Sequence, residues 1–232
     1  MNGKITDDPE SVDFEELKAY RVTGAVKASS TPERYVVRPE GEVKKKIALL
    51  DFGLKKNIYR ELVKRGAEVT VCPCTTTAQE IAAMGVDGIM LSNGPGDPAE
   101  NTEIIANLKE ICKLNIPLFG ICLGHQLLAL AHDFKTEKLK YGHRGANQPV
   151  KNLETGRVYI SSQNHGYAVV SSSIDSTVAR ELFVNVNDNT CEGIRYLDCP
   201  AFSVQFHPEA CGGPLDTQAL FDEFFARMKE GD

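Results

Sequence analysis

Positive charge is scarce in this chain of 232 residues: 26 lysines and arginines face 32 aspartates and glutamates, for a formal net charge of −6. A basic footprint for nucleic acid is therefore lacking, and no nucleic-acid partner is expected. No apolar run reaches the roughly 18 residues of a membrane span, so no membrane partner is expected either. The start, Met1 to Asp8, has no apolar stretch of signal-peptide type, and the seven cysteines form no framework of spacings. Both point to reduced thiols in a cytoplasmic, soluble protein. Cys72-Pro73-Cys74 is too close and too isolated for a metal site, and no metal is expected. The glycine-rich turn Asn93-Gly94-Pro95-Gly96-Asp97-Pro98 lacks the lysine and hydroxyl residue of a phosphate loop, which disfavours nucleotide binding.

What is present is an apolar content of 42%, enough for a substantial core. Residues 1–43 are acidic near the start, carry a short helical pattern from Phe14 to Tyr20, and read as a leader or the edge of another domain. From Lys45 onward four short apolar strands alternate with amphipathic helices, the pattern of right-handed crossovers and a parallel sheet covered on both faces. Residues 136–205 read mostly as strands, and Leu220, Phe221, Phe224, Phe225 and Met228 fall at helical spacing on a final core-facing helix. The expected fold is α/β, an open, mostly parallel sheet flanked by helices with an added antiparallel strand region.

Gly120-Ile121-Cys122-Leu123-Gly124-His125-Gln126 places a cysteine between two glycines where a strand runs into a helix. That is the layout of a nucleophile elbow, in which a Cβ two residues to either side would collide with the crossing elements. At the helix N-terminus, unpaired N–H groups and the helix dipole favour a thiolate. Alone, the pattern is equally that of a buried structural thiol. Two other motifs lie at the same carboxyl edge of the sheet, where ligands of open α/β folds gather. These are the glycine turn at 93–98 and His207-Pro208-Glu209. A histidine ordered by a carboxylate can serve a thiol as base and then acid, which suits His207 and Glu209. The N–H groups of Gly94 and Leu123 are placed to form an oxyanion hole. His125 is expected to point into helix packing, and His132 and His143 to lie away from this edge.

Together these motifs resemble the class I, triad-type glutamine amidotransferases. The stretches Tyr141 to Val150 and Ser162 to Val169 narrow the resemblance to the small, glutaminase subunits of carbamoyl-phosphate synthetases, over about residues 44–230. The resemblance implies Cys122 as nucleophile, His207 as acid and base, and Glu209 as its orienting partner. It implies oxyanion N–H groups from Gly94 and Leu123, and a glutamine site lined by Gly96, Gln126, Asn164, Gly166 and Tyr167. It further implies a glutaminase that feeds ammonia to a large ATP-dependent synthetase subunit, with no ATP signature or cofactor in this chain. Residues 1–43 would be a linker and remnant of an absent N-terminal domain, and 44–232 the amidotransferase domain. The chain departs from the family at Tyr167, where phenylalanine is common, at Arg144, Ala146 and Gln148, and at Cys211-Gly212 after Glu209. The alternatives are the glutaminase component of another amidotransferase, such as anthranilate synthase, and a catalytically silent regulatory subunit. A cysteine hydrolase of the α/β type ranks third, since its acid would precede its histidine.

Overall fold

The computed structural model describes residues 3–212 and 215–228; residues 1–2 of the expected first domain and 213–214 and 229–232 of the second lie outside them. Helices α1 (Phe14–Ala19) and α2 (Ala25–Ser29) lead to strand β1 (Tyr35–Val37). Then follow β2 (Lys45–Asp51), α3 (Asn57–Lys64), β3 (Ala67–Pro73), α4 (Ala78–Ala83), β4 (Gly88–Leu91), α5 (Thr102–Cys112), β5 (Leu118–Ile121) and α6 (Leu123–Ala131). The chain continues through β6 (Thr136–Asn152), β7 (Val158–Val169), β8 (Ala179–Asn185), β9 (Cys191–Tyr196), β10 (Ala201–Val204) and α7 (Ala219–Arg227). Among the described residues no helix is long and apolar enough to cross a membrane.

Among the described residues one sheet holds all ten strands, in the order β1-β3-β2-β4-β5-β10-β9-β8-β6-β7. The run β3-β2-β4-β5-β10 is parallel, and the strands outside it pair antiparallel. Alternation along β2 explains the layering, because successive side chains of a strand face opposite sides. Ala48 and Leu50 pack with Ile104, Leu108, Leu127 and Leu128 on the α4, α5 and α6 side. Ile47 and Leu49 pack with Ile58, Leu62, Phe221 and Phe224 on the α3 and α7 side. Phe119 anchors the second layer, its ring stacked on Phe202 at 4.4 Å and edge-on to Phe221 at 5.7 Å.

Strands β6 and β7 differ from the sequence reading. Within the 136–205 region read from sequence as mostly strands, the apolar segments at 158–162 and 167–170 are joined into one continuous strand through Gln163-Asn164-His165-Gly166. Its partner β6 is 17 residues long and takes up the irregularity instead, with register shifts between Lys138 and His143 and between Gly145 and Gln148. Bulges of this kind bend a strand and re-aim its side chains. Segment 35–37 also pairs into the sheet, and Val26 is buried in its core.

From β2 the chain moves outward to β3 and then returns to the other side of β2 as β4. The carboxyl ends of β2 and β4 therefore flank a topological switch point, where open α/β sheets form their ligand crevice.

Candidate active site

Cys122 stands between β5 and α6 with φ 54° and ψ −102°, a conformation that costs a non-glycine residue on the order of 1–3 kcal/mol. Its surroundings hold it there. The Cys122 N–H donates to Val204 O at 2.8 Å and the Gly124 N–H to Ser92 O at 3.1 Å, pinning the elbow to β10 and to the end of β4. A Cβ on Gly124 would lie 2.6 Å from Leu91 O, and one on Gly120 would lie 3.0 Å from the Gly124 backbone. The glycines are thus required by close approach, as the sequence pattern predicted.

His207 follows β10, its N–H donating to Ser162 O at 2.9 Å. Its ring Nδ1 lies 2.8 Å from Glu209 Oε1, and both side chains are buried. A carboxylate only accepts, so the proton sits on Nδ1 and the other ring nitrogen is left for Cys122. Burial opposes charge on the ring. The Cys122 sulfur and Glu209 outweigh it and hold the His207 pKa up at about 9. Asn57 Nδ2 donates to the Glu209 carbonyl, which fixes the turn behind the pair.

Gly94 sits where any side chain would strike the Phe52 carbonyl and Leu123. The loops after β2 and β4 are stapled together: Lys55 N–H donates to Asn93 Oδ1 at 2.9 Å, Asn93 Nδ2 to Gly53 O at 3.1 Å, and Phe52 N–H to Ser92 Oγ at 2.9 Å. A pocket of about 710 Å³ opens between these loops and β7. Its wall contains Gly94, Gly96, Cys122, Gln126, Asn164, Gly166, Tyr167 and His207. Two expected residues are not on that wall. Glu209 lies behind His207, and the Leu123 side chain is buried against Gly94, leaving only its backbone N–H at the start of α6.

Gln126 Nε2 donates to Tyr167 O and to Gln205 Oε1, both at 2.8 Å. With its amine committed, the group it can offer a ligand is the acceptor Oε1. Tyr167 is hydrogen-bonded through its side chain to Asp97; burial first, and then Asp97, raise its pKa. His125 is fully buried with Nδ1 2.8 Å from Ser203 Oγ, and burial drives its pKa down to about 3, in keeping with a packing role.

Three residues at the pocket were not singled out from sequence. Lys55 Nζ stands 3.4 Å from His207 Nδ1 and 3.8 Å from Glu209 Oε1. With the ring protonated, ammonium and imidazolium are both donors, so the carboxylate is their shared acceptor and the Lys55–His207 approach is a contact between like charges. Asn93 organises the glycine turn, and His165 lines the wall with Nδ1 2.8 Å from Tyr167 O. The signal for Lys55 was available: Asp51-Phe52-Gly53 ends β2 at the same carboxyl edge, one side of the switch point.

Fold and site together define an open α/β domain that presents a cysteine elbow to a buried histidine–carboxylate pair, an arrangement suited to acyl transfer through sulfur. The sequence pattern of Glutamine amidotransferase class-I matches residues 48–227, and the chain belongs to that family. The chain is 48% identical over 238 aligned residues to the carbamoyl phosphate synthase small chain of Bacillus cereus, covering 100% of this chain and 64% of that protein. It is 49% identical over 226 residues to the protein of the same name in Methanopyrus kandleri, covering 96% and 62%. The chain thus spans less than two thirds of the length of these relatives. A glutamine amidotransferase structure from Thermotoga maritima superimposes with a TM-score of 0.58 at 16% identity, covering 78% of this chain and 80% of that one, a likeness of fold.

Proposed function

We propose that the chain hydrolyses the side-chain amide of L-glutamine through a γ-glutamyl thioester on Cys122, and that it is the glutaminase part of a carbamoyl-phosphate synthetase. The observation that carries the chemistry is the elbow cysteine facing a ring that Glu209 orients at 2.8 Å and that Cys122 and Glu209 together keep charged. The protonated ring beside the sulfur is placed to act as the acid for the leaving nitrogen. The thiolate attacks the amide carbon, and the N–H groups of Gly94 and Leu123 stabilise the oxyanion. His207 then gives its proton to the departing nitrogen, so ammonia leaves and the thioester remains. In the second half His207 takes a proton from water, hydroxide attacks the thioester, and glutamate is released with the thiolate restored.

Gly96, Gln126, Asn164, Gly166 and Tyr167 are the groups assigned to hold glutamine, with Gln126 Oε1 accepting from the substrate. The assigned chemistry uses side chains and backbone alone, so no cofactor is proposed. The partner reading rests on the relatives' printed name and on identities of 48% and 49%: ammonia would pass to a large ATP-dependent subunit. Glutamate release by the chain and by Cys122→Ser separates the glutaminase from a silent subunit. Mixing with a large synthetase subunit and following glutamine-dependent carbamoyl phosphate formation tests the partner; absence of coupling to that subunit, with glutaminase intact, would favour another amidotransferase.

A further inference from the structure

At the end of the sheet opposite Cys122, the C-terminal ends of α5 and α6 meet the turn between β9 and β10. Cys112 closes α5, His132 follows α6, and Cys199 lies in the turn; one donor atom from each falls within 4.8 Å of the others. We propose that Cys112, His132 and Cys199 form a three-ligand binding site for a divalent thiophilic transition metal, Zn²⁺ by chemical class.

The spacings are those of a tetrahedral edge. Zinc bonds of about 2.3 Å to sulfur and about 2.0 Å to nitrogen or oxygen place neighbouring ligand atoms about 3.3–3.8 Å apart. Cys199 Sγ is 3.9 Å from His132 Nε2, close to such an edge, and the Cys112 sulfur lies within 4.8 Å of both. His132 Nδ1 lies 2.8 Å from Leu128 O, so its proton is held there and Nε2 presents a lone pair. That is the outer hydrogen bond that orients metal-ligating histidines. Tyr196, with its ring 4.3 Å from that of His132, fixes the imidazole plane from one side. Thiolate and imidazole donors select zinc-like ions over magnesium or calcium. Both cysteines are only partly buried, which leaves the ion a way in. On binding, the two thiol protons leave to solvent and two thiolates balance the dication.

A second group, His143, His165 and Glu192, meets the same distance criterion. Its ring nitrogens are already occupied: His143 Nε2 lies 2.9 Å from Asp188 Oδ2 and His165 Nε2 lies 3.0 Å from Gln163 Oε1. The Cys112 site escaped the sequence reading because its ligands stand at 112, 132 and 199, with none of the short spacings by which zinc sites are read.

The test is an anaerobic Co²⁺ titration of the reduced full chain carrying Cys122→Ser, which removes the other thiol–imidazole pair. One equivalent should give visible bands of tetrahedral cobalt and a thiolate charge-transfer band, both displaced by Zn²⁺. Adding Cys112→Ser and Cys199→Ser should abolish the charge-transfer band, with the fold checked by circular dichroism, whereas adding Cys72→Ser and Cys74→Ser should leave it. His132→Asn, which spares both thiols, should weaken cobalt binding about tenfold or more. No charge-transfer band in the parent, the same band in the Cys112/Cys199 variant, or unchanged affinity in His132→Asn would each overturn the site.

Discussion

Replacing Cys122 by serine removes the sulfur beside His207, and the ring's own titration should report the loss. The elevation of the His207 pKa from 6.5 to about 9 corresponds to about 3 kcal/mol in favour of the charged ring. Because the folded value lies above the unfolded one, this stabilisation is fully present below pH 6.5 and is lost as pH rises through 9. Burial pulls the value down, Cys122 is the largest influence raising it, and Glu209 is the next. In Cys122→Ser the hydroxyl stays neutral, so the ring keeps only Glu209 against burial and should titrate well below 9. Glu209→Gln should lower it too, by a smaller amount. Histidine-selective NMR across pH 5–10 reads the titration directly, and urea unfolding at the two ends of the window reads the linked stability. The intact chain should lose stability between pH 6.5 and 9 by an amount on the order of 3 kcal/mol, and Cys122→Ser should lose less. An unchanged His207 titration in Cys122→Ser, or a larger drop from Glu209→Gln, would refute the reasoning.

In glutamine hydrolysis, His207→Ala should remove acylation and deacylation together, while Glu209→Gln should cost less, as single-turnover kinetics would show. Gly124→Ala places a methyl 2.6 Å from Leu91 O and should cost about 1–3 kcal/mol of stability, measured by urea unfolding, along with the elbow's activity. Gln126→Ala leaves the Gln205 Oε1 acceptor without its donor and removes the proposed contact to glutamine, so steady-state kinetics should show a raised KM. Buried His125, with its pKa near 3, must charge when the chain unfolds in acid; stability present above pH 6.5 should fall as pH drops toward 3, and denaturation of His125→Asn should show a shallower fall.

The parts of the fold written in local pattern were legible from sequence. The alternation of β2 to α6, the elbow glycines and the His207–Glu209 pairing all follow from short-range periodicity or steric need, and each stands where that logic puts it. What escaped depends on distant partners. The continuous β7 is held by β6, whose bulges cannot be read from either strand alone. Lys55 follows a strand end at the carboxyl edge where a site was expected, but its approach to Glu209, 154 positions away, cannot be read from its own stretch. Leu123 was assigned only a backbone N–H from sequence, and its side chain is buried beside Gly94, off the pocket wall.

The central claim is a covalent intermediate on one named sulfur. Rapid acid quench of the chain with glutamine, followed by peptide mass spectrometry, should find a γ-glutamyl adduct on Cys122, abolished in Cys122→Ser and accumulating when hydrolysis of the thioester is slowed. An adduct on Cys72, Cys112 or Cys211 instead, or glutamate release undiminished in Cys122→Ser, would contradict the account.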